Sequence, residues 1–103
     1  MYFIFEIRIT DPDYTPEQYA EAWMHASRHI QRAPGARGTR LHRKIDDPRT
    51  LLAIATWDSK ESRDAMESEP PEDVAAIIAT QQPHVEIRLI GEFEAPEWEA
   101  LPP

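Results

Sequence analysis

The hydrophobic period of this chain switches repeatedly between alternate residues and every third or fourth residue, and each switch is marked by proline, glycine or aspartate. From Tyr2 to Ile9 (YFIFEIRI), Phe3, Phe5, Ile7 and Ile9 fall on one face and Tyr2, Ile4, Glu6 and Arg8 on the other, the pattern of a half-buried strand. Asp11, Pro12 and Asp13 break it. Thr15 then offers an N-cap oxygen, Pro16 a backbone suited to the first helical position, and Glu17 negative charge at the positive end of a helix dipole. A long helix is predicted, carrying Tyr19, Ala22, Trp23, Ala26, Ile30 and Ala33 on its apolar stripe and stopping at Pro34-Gly35.

Alternation resumes at Arg37–Ile45, breaks at the turn residues Asp46-Asp47-Pro48-Arg49, and returns as the apolar run Leu51–Trp57, so this region predicts a hairpin. Asp58 or Ser59 caps a helix that ends by Ser68 or Glu69 before Pro70-Pro71. Glu72 and Asp73 open a short apolar helical piece through Val74, Ile77 and Ile78 that stops at Pro83. His84–Phe93 alternates again, and Glu94–Pro103 reads as irregular.

This order, βαββαβ, predicts an α+β ferredoxin-like fold: a four-stranded antiparallel sheet with its helices on one face. Residues 1–93 form the domain and residues 94–103 a tail. Once the apolar strand faces meet the helices, the open face carries Tyr2, Ile4, Glu6, Arg8, Arg40, His42, His84, Glu86, Arg88 and Ile90. In the third strand Leu52 and Ile54 are expected on the helix side, because packing favours the larger aliphatics. Ala53, Ala55 and Trp57 are then expected on the open side, where small alanines beside a tryptophan leave a hollow.

Composition narrows the function. With 103 residues, the chain is one small domain that gains by burying an apolar face in an oligomer. The absence of Cys removes disulfides, thiolate nucleophiles, Cys-ligated zinc and iron–sulfur clusters. A net charge of −8 without a compensating basic stripe argues against nucleic acid and anionic membranes as partners. No apolar run reaches the length of a bilayer span, and the chain opens on a strand pattern instead of a leader, so a cytoplasmic location is expected. No GxSxG elbow, Walker loop or dinucleotide fingerprint occurs. Glu21, His25 and His29 form one row on the first helix, but no HExxH pattern accompanies them. An exposed polar face accounts for the row, and no metal site is expected.

The segment PGARGTRLHRKIDDPRTLLAIATWDSKESRDAM, Pro34 to Met66, resembles the antibiotic biosynthesis monooxygenase-like family of the dimeric α+β barrel superfamily. The likeness lies in the Pro-Gly turn after the first helix, the Asp47-Pro48 dipeptide in the hairpin, and Trp57 closing a strand just before a helix opened by Asp58-Ser59. It implies a homodimer whose two sheets face each other, with a pocket between each sheet and its helices. It also implies cofactor-independent oxygenation of a small aromatic or phenolic compound, with no cofactor required. Met66 lies at or near the place where many members carry a histidine, and the chain has no Asn, so haem degradation is not expected.

In that reading an imidazole near neutral pKa accepts a phenolic proton and a guanidinium holds the oxyanion. His84 or His42 is the expected base and Arg40 or Arg88 the anion stabiliser, with Trp57, Tyr2, Glu6 and Met66 lining the substrate site. The alternative expectation is a non-catalytic homodimer that binds a small molecule or serves structure, its open-face charges paired across strands. Related proton-transfer chemistry, isomerase or decarboxylase, is a third. Trp98, among the glutamates of the tail, is expected to dock on the partner subunit or across its own helices.

Overall fold

A computed structural model describes Met1–Pro103. Strand β1 (Tyr2–Ile9) leads to helix α1 (Pro16–Ile30), the hairpin β2 (Ala36–Lys44) and β3 (Asp47–Trp57), helices α2 (Lys60–Ser68) and α3 (Glu72–Gln81), a 3₁₀ turn (Gln82–His84) and β4 (Val85–Phe93). The strands form one antiparallel sheet in the order β2-β3-β1-β4, the ferredoxin-like α+β arrangement read from the sequence.

The helix starts form as the capping residues dictate. Thr15 Oγ1 accepts from the Gln18 N–H at 3.1 Å while the Thr15 N–H donates to Gln18 Oε1 at 2.8 Å, and Ser59 Oγ accepts from the Ser62 N–H at 3.1 Å. Helix α1 ends at Ile30, short of Pro34, because the following residues wind into tighter turns, with Arg32 N–H bonded to His29 O and Ala33 N–H to Ile30 O. Although α2 buries no residue, it is held to the sheet by Arg63, whose guanidinium lies 3.8 Å from the Phe3 ring centre and 3.3 Å from Glu92 Oε1.

Gly35 turns the chain from α1 into β2 at φ +89°, and its carbonyl accepts from the Asp58 N–H at 2.8 Å. A Cβ there would stand 2.5 Å from both Asp58 Oδ1 and Ser62 Cβ. Gly35→Ala is therefore expected to cost about 2–4 kcal/mol, from left-handed backbone strain plus overpacking. Urea denaturation checks this, and a loss below about 1 kcal/mol would show that the α2 start simply moves aside.

The hairpin differs from expectation. Its turn is the pair Ile45-Asp46, with Asp46 at φ +74°, and Asp47 already pairs with Lys44. Pro48, Arg49 and Thr50 form a bulge between the Lys44–Asp47 and Arg43–Leu51 pairs, where a proline without an N–H breaks no ladder bond. The Asp47 carboxylate closes the bulge by accepting from the Arg49 N–H and the Thr50 hydroxyl, bonds that lower its pKa, the Thr50 bond most.

Directly opposed residues of an antiparallel pair share a face. Because Ile7 opposes Leu51 and Phe5 opposes Ala53, the residues Leu51, Ala53, Ala55 and Trp57 belong to the helix face. This reverses the assignment expected for β3. Leu52 and Ile54 lie on the open face, whereas Ala53 and Trp57 are buried. A small side chain lets a helix approach the sheet, so Ala53 beneath the helices is as sound a solution as a large aliphatic, and only the register decides between them. The core comprises Ile7, Ile9, Tyr19, Leu51 and Ala53.

Candidate functional site

Between the helix face of the sheet and helices α1 and α3 lies an apolar pocket of about 140 Å³. Phe5 and Ile87 form its floor, Trp23, Ala26 and Ile30 one wall, and Ile77 and Ile78 the other, while Gln81 and Gln82 stand at the 3₁₀ end. The cavity follows from the α1 stripe, because Ala22, Ala26 and Ser27 carry too little side chain to fill the space that Tyr19 and Trp23 hold open. Burial raises the Tyr19 pKa, followed by the influence of Tyr14, so its phenol stays protonated. The lining contains no histidine or carboxylate.

Beside the glutamines, the β1–α1 loop meets the start of β4. The ring of His84 stacks on that of Tyr14, with centres 4.1 Å apart and planes 13° from parallel, and its Nδ1 lies 2.7 Å from Asp11 Oδ2. The His84 hydrogen bond is the main cause of a lowered Asp11 pKa, with the Asp13 N–H next. Tyr14 donates its hydroxyl proton to Gln81 Oε1, and burial raises its pKa. Arg49 Nη2 donates to the Asp11 and Tyr14 carbonyls at 2.6 and 2.9 Å, tying the loop to β3.

The open face is a grid set by the register. One rung reads His42, Leu52, Glu6, Arg88 and the next Arg40, Ile54, Ile4, Gly91. Glu6 pairs with Arg88 at 3.4 Å and Arg8 with Glu86 at 3.8 Å, exposed contacts of small energetic weight. His42, Glu6, Leu52 and Ile54 border a shallow hollow on this face.

The residues expected to form one site thus lie in separate places. His42, Arg40, Arg88, Tyr2 and Glu6 share the open face as read. His84 does not join them, since the turn before β4 carries its ring to the sheet end against Tyr14. Trp57 is 3% exposed on the helix side and lines neither the apolar pocket nor the open-face hollow. Met66 borders a wide polar groove with His29 and Glu69. The His25 and His29 rings stand 5.2 Å apart, but no three His, Cys, Asp or Glu side chains converge as a metal site. Trp98 is 86% exposed in the irregular tail, so it does not dock across its own helices. Asp11, Tyr14 and Gln81 were missed: the first reads as a strand breaker, the second as a loop residue, and nothing in the sequence pairs either with a histidine seventy or more positions away.

Fold and pocket together define a ferredoxin-like α+β sheet with a ligand-sized space beneath its helices. Within that class, the profile of the antibiotic biosynthesis monooxygenase family matches residues 1–76, and the chain belongs to this family. Among solved structures it resembles SnoaB, a cofactor-independent oxygenase from Streptomyces nogalater, at 14% identity and a TM-score of 0.72 over 94% of this chain and 96% of that one. It also resembles a conserved protein of unknown function from Bacteroides thetaiotaomicron, at 16% identity and a TM-score of 0.71 over 85% of this chain and 89% of that one. At such identities the likeness is one of fold. No curated protein sequence matches. No helix is long and apolar enough to cross a membrane.

Proposed function

We propose that this protein uses dioxygen to oxygenate a small, single-ring phenol held in the pocket between the sheet and helices α1 and α3. The observation that carries the reading is that pocket, apolar and about 140 Å³, in a chain of the antibiotic biosynthesis monooxygenase family. A cavity of roughly 150 Å³ holds one benzene ring, which favours a monocyclic over a polycyclic substrate. The glutamine end offers hydrogen bonds to a phenolic oxygen while the apolar walls receive the ring.

In this reaction a phenolate gives an electron to dioxygen, and the radical pair combines to form a carbon–oxygen bond at a ring carbon. The resulting hydroperoxide loses water to leave a quinone, so one phenol and one dioxygen yield one quinone and one water. Such chemistry asks the protein to accept a proton, orient the ring and exclude bulk water. His84 is the base in this reading: it stacks on Tyr14, whose hydroxyl donates to Gln81 of the pocket lining. The open face, where Ile4, Leu52 and Ile54 lie among His42, Arg40, Arg88, Tyr2 and Glu6, is the surface a second copy covers in the homodimer that the family resemblance implies. Non-catalytic binding is the second reading, favoured by a pocket lining whose one titratable type is tyrosine.

Oxygen uptake and quenching of tryptophan fluorescence, measured with single-ring phenols and with a polycyclic anthrone on the wild type and on Trp23→Phe, test the proposal. Single-ring phenols are expected to quench the signal and to consume oxygen one for one, and sedimentation in the same buffer is expected to give a dimer. Quenching without uptake supports the binding reading, and failure of every single-ring phenol to bind overturns both.

A further inference from the structure

We propose that Asp11 and His84 form a proton-transfer pair serving the pocket, in which Asp11 is a positioning residue that holds the imidazole in the tautomer whose Nε2 accepts the proton. This rests on the phenol-oxygenase reading. An ionised carboxylate can only accept a hydrogen bond, so its 2.7 Å contact with Nδ1 makes that nitrogen the donor and leaves the lone pair on Nε2. The same logic orients the histidine of hydrolytic triads.

The ring is held from several sides. The His84 carbonyl accepts from the Thr10 N–H at 3.0 Å, the Thr10 hydroxyl at 3.3 Å and the Asp11 N–H at 3.3 Å, so the backbone that carries the imidazole is bound to the loop that carries the carboxylate. Tyr14 covers one ring face, and its hydroxyl bond to Gln81 links the cluster to a residue of the pocket lining. The side chains of His84 and Asp11 remain 33% and 28% exposed, which leaves the imidazole accessible to a reacting group. The titratable groups against it are Asp11 and Tyr14 from the β1–α1 loop; behind them Arg49 from β3 reaches the Asp11 and Tyr14 carbonyls, and Glu21 from α1 acts on Tyr14.

The proton balance closes. Nε2 takes the phenolic proton as the phenolate forms and returns it to the peroxide anion once dioxygen has joined the ring. Loss of water from the hydroperoxide then leaves the imidazole neutral for the next turnover.

The test compares wild type, Asp11→Asn and His84→Ala by kcat and KM over pH, and follows the His84 ring by nitrogen NMR. Asparagine keeps the size and one acceptor oxygen but not the charge. Both variants are expected to fold and to lose about 10²–10⁴-fold in kcat with KM little changed. Losing the carboxylate removes the partner that holds the imidazole, so Asp11→Asn is also expected to move the acid limb of the pH profile and to let the ring proton redistribute from Nδ1 to Nε2. A purely structural clasp would move neither. If wild type turns over phenols but His84→Ala retains the rate, or Asp11→Asn leaves the profile in place, the pair is overturned while the phenol reading stands. If wild type turns over no phenol, that reading fails and NMR alone judges the pair: a His84 proton on Nε2 in the wild type overturns it, and a proton on Nδ1 that redistributes in Asp11→Asn sustains it.

Discussion

Trp57→Ala is expected to lose about 3–5 kcal/mol of folding free energy, a large part of the roughly 5–15 kcal/mol that holds a domain of this size together. Trp57 is 3% exposed at the end of β3, on the helix side of the sheet. Its N–H donates to the Met1 carbonyl at 2.9 Å and its carbonyl accepts from the Met1 ammonium at 2.9 Å, so the residue also anchors the start of β1. Truncation removes a large apolar surface and leaves a void beside the Gly35–Asp58 turn, which cannot collapse without shifting that strand end. Thermal unfolding should show the midpoint falling by more than about 12 °C. The expectation that Trp57 walls the ligand site predicts the opposite pattern, with binding lost and stability kept. A midpoint shift under about 4 °C combined with abolished ligand binding would restore that view.

Ala26→Leu is expected to remove ligand binding while leaving the fold as stable as before or raising its stability by about 0.5–2 kcal/mol. Ala26 is 5% exposed, lies on the apolar stripe of α1 and borders the pocket. Leucine there adds three carbons to a space of about 140 Å³, enough to exclude a phenyl ring but not to overfill the cavity. The two quantities move apart because a cavity kept open for a ligand is a packing cost in the free protein, the usual opposition between activity and stability. Calorimetric titration with a single-ring phenol and urea denaturation of the same sample measure both. Undiminished affinity would place the ligand elsewhere. A loss of more than about 1 kcal/mol would mean that α1 cannot accept the larger side chain and the space is smaller than its walls suggest.

Much of the architecture is legible in local chemistry. The alternation of Tyr2–Ile9 and the Thr15 and Ser59 caps each act over a few residues, where backbone sterics and hydrogen bonding dominate, whereas the stop expected at Pro34-Gly35 is pre-empted by the tighter turns after Ile30. The element order, the ferredoxin-like class and the family resemblance carried by Pro34–Met66 follow from them. The hairpin turn is misread because Asp46-Asp47-Pro48-Arg49 contains turn-forming residues throughout. A two-residue turn at Ile45-Asp46 and a bulge after it satisfy the same residues with more strand paired.

By itself, then, the sequence determined the order of the strands and helices and which residues of β1 and β2 share a face, because period and capping are properties of neighbouring residues; in β4 the turn at His84 and the bulge at Ile90 broke the alternation read there. The tertiary structure decided that Leu51, Ala53 and Trp57, not Leu52 and Ile54, look toward the helices, since the face of β3 depends on its register against β1. It also decided that His84 meets Asp11 and Tyr14, and that small residues on α1 leave a pocket above Phe5 and Ile87. These outcomes arise from contacts between distant segments, where packing and register across strands choose among arrangements that local chemistry leaves equally open.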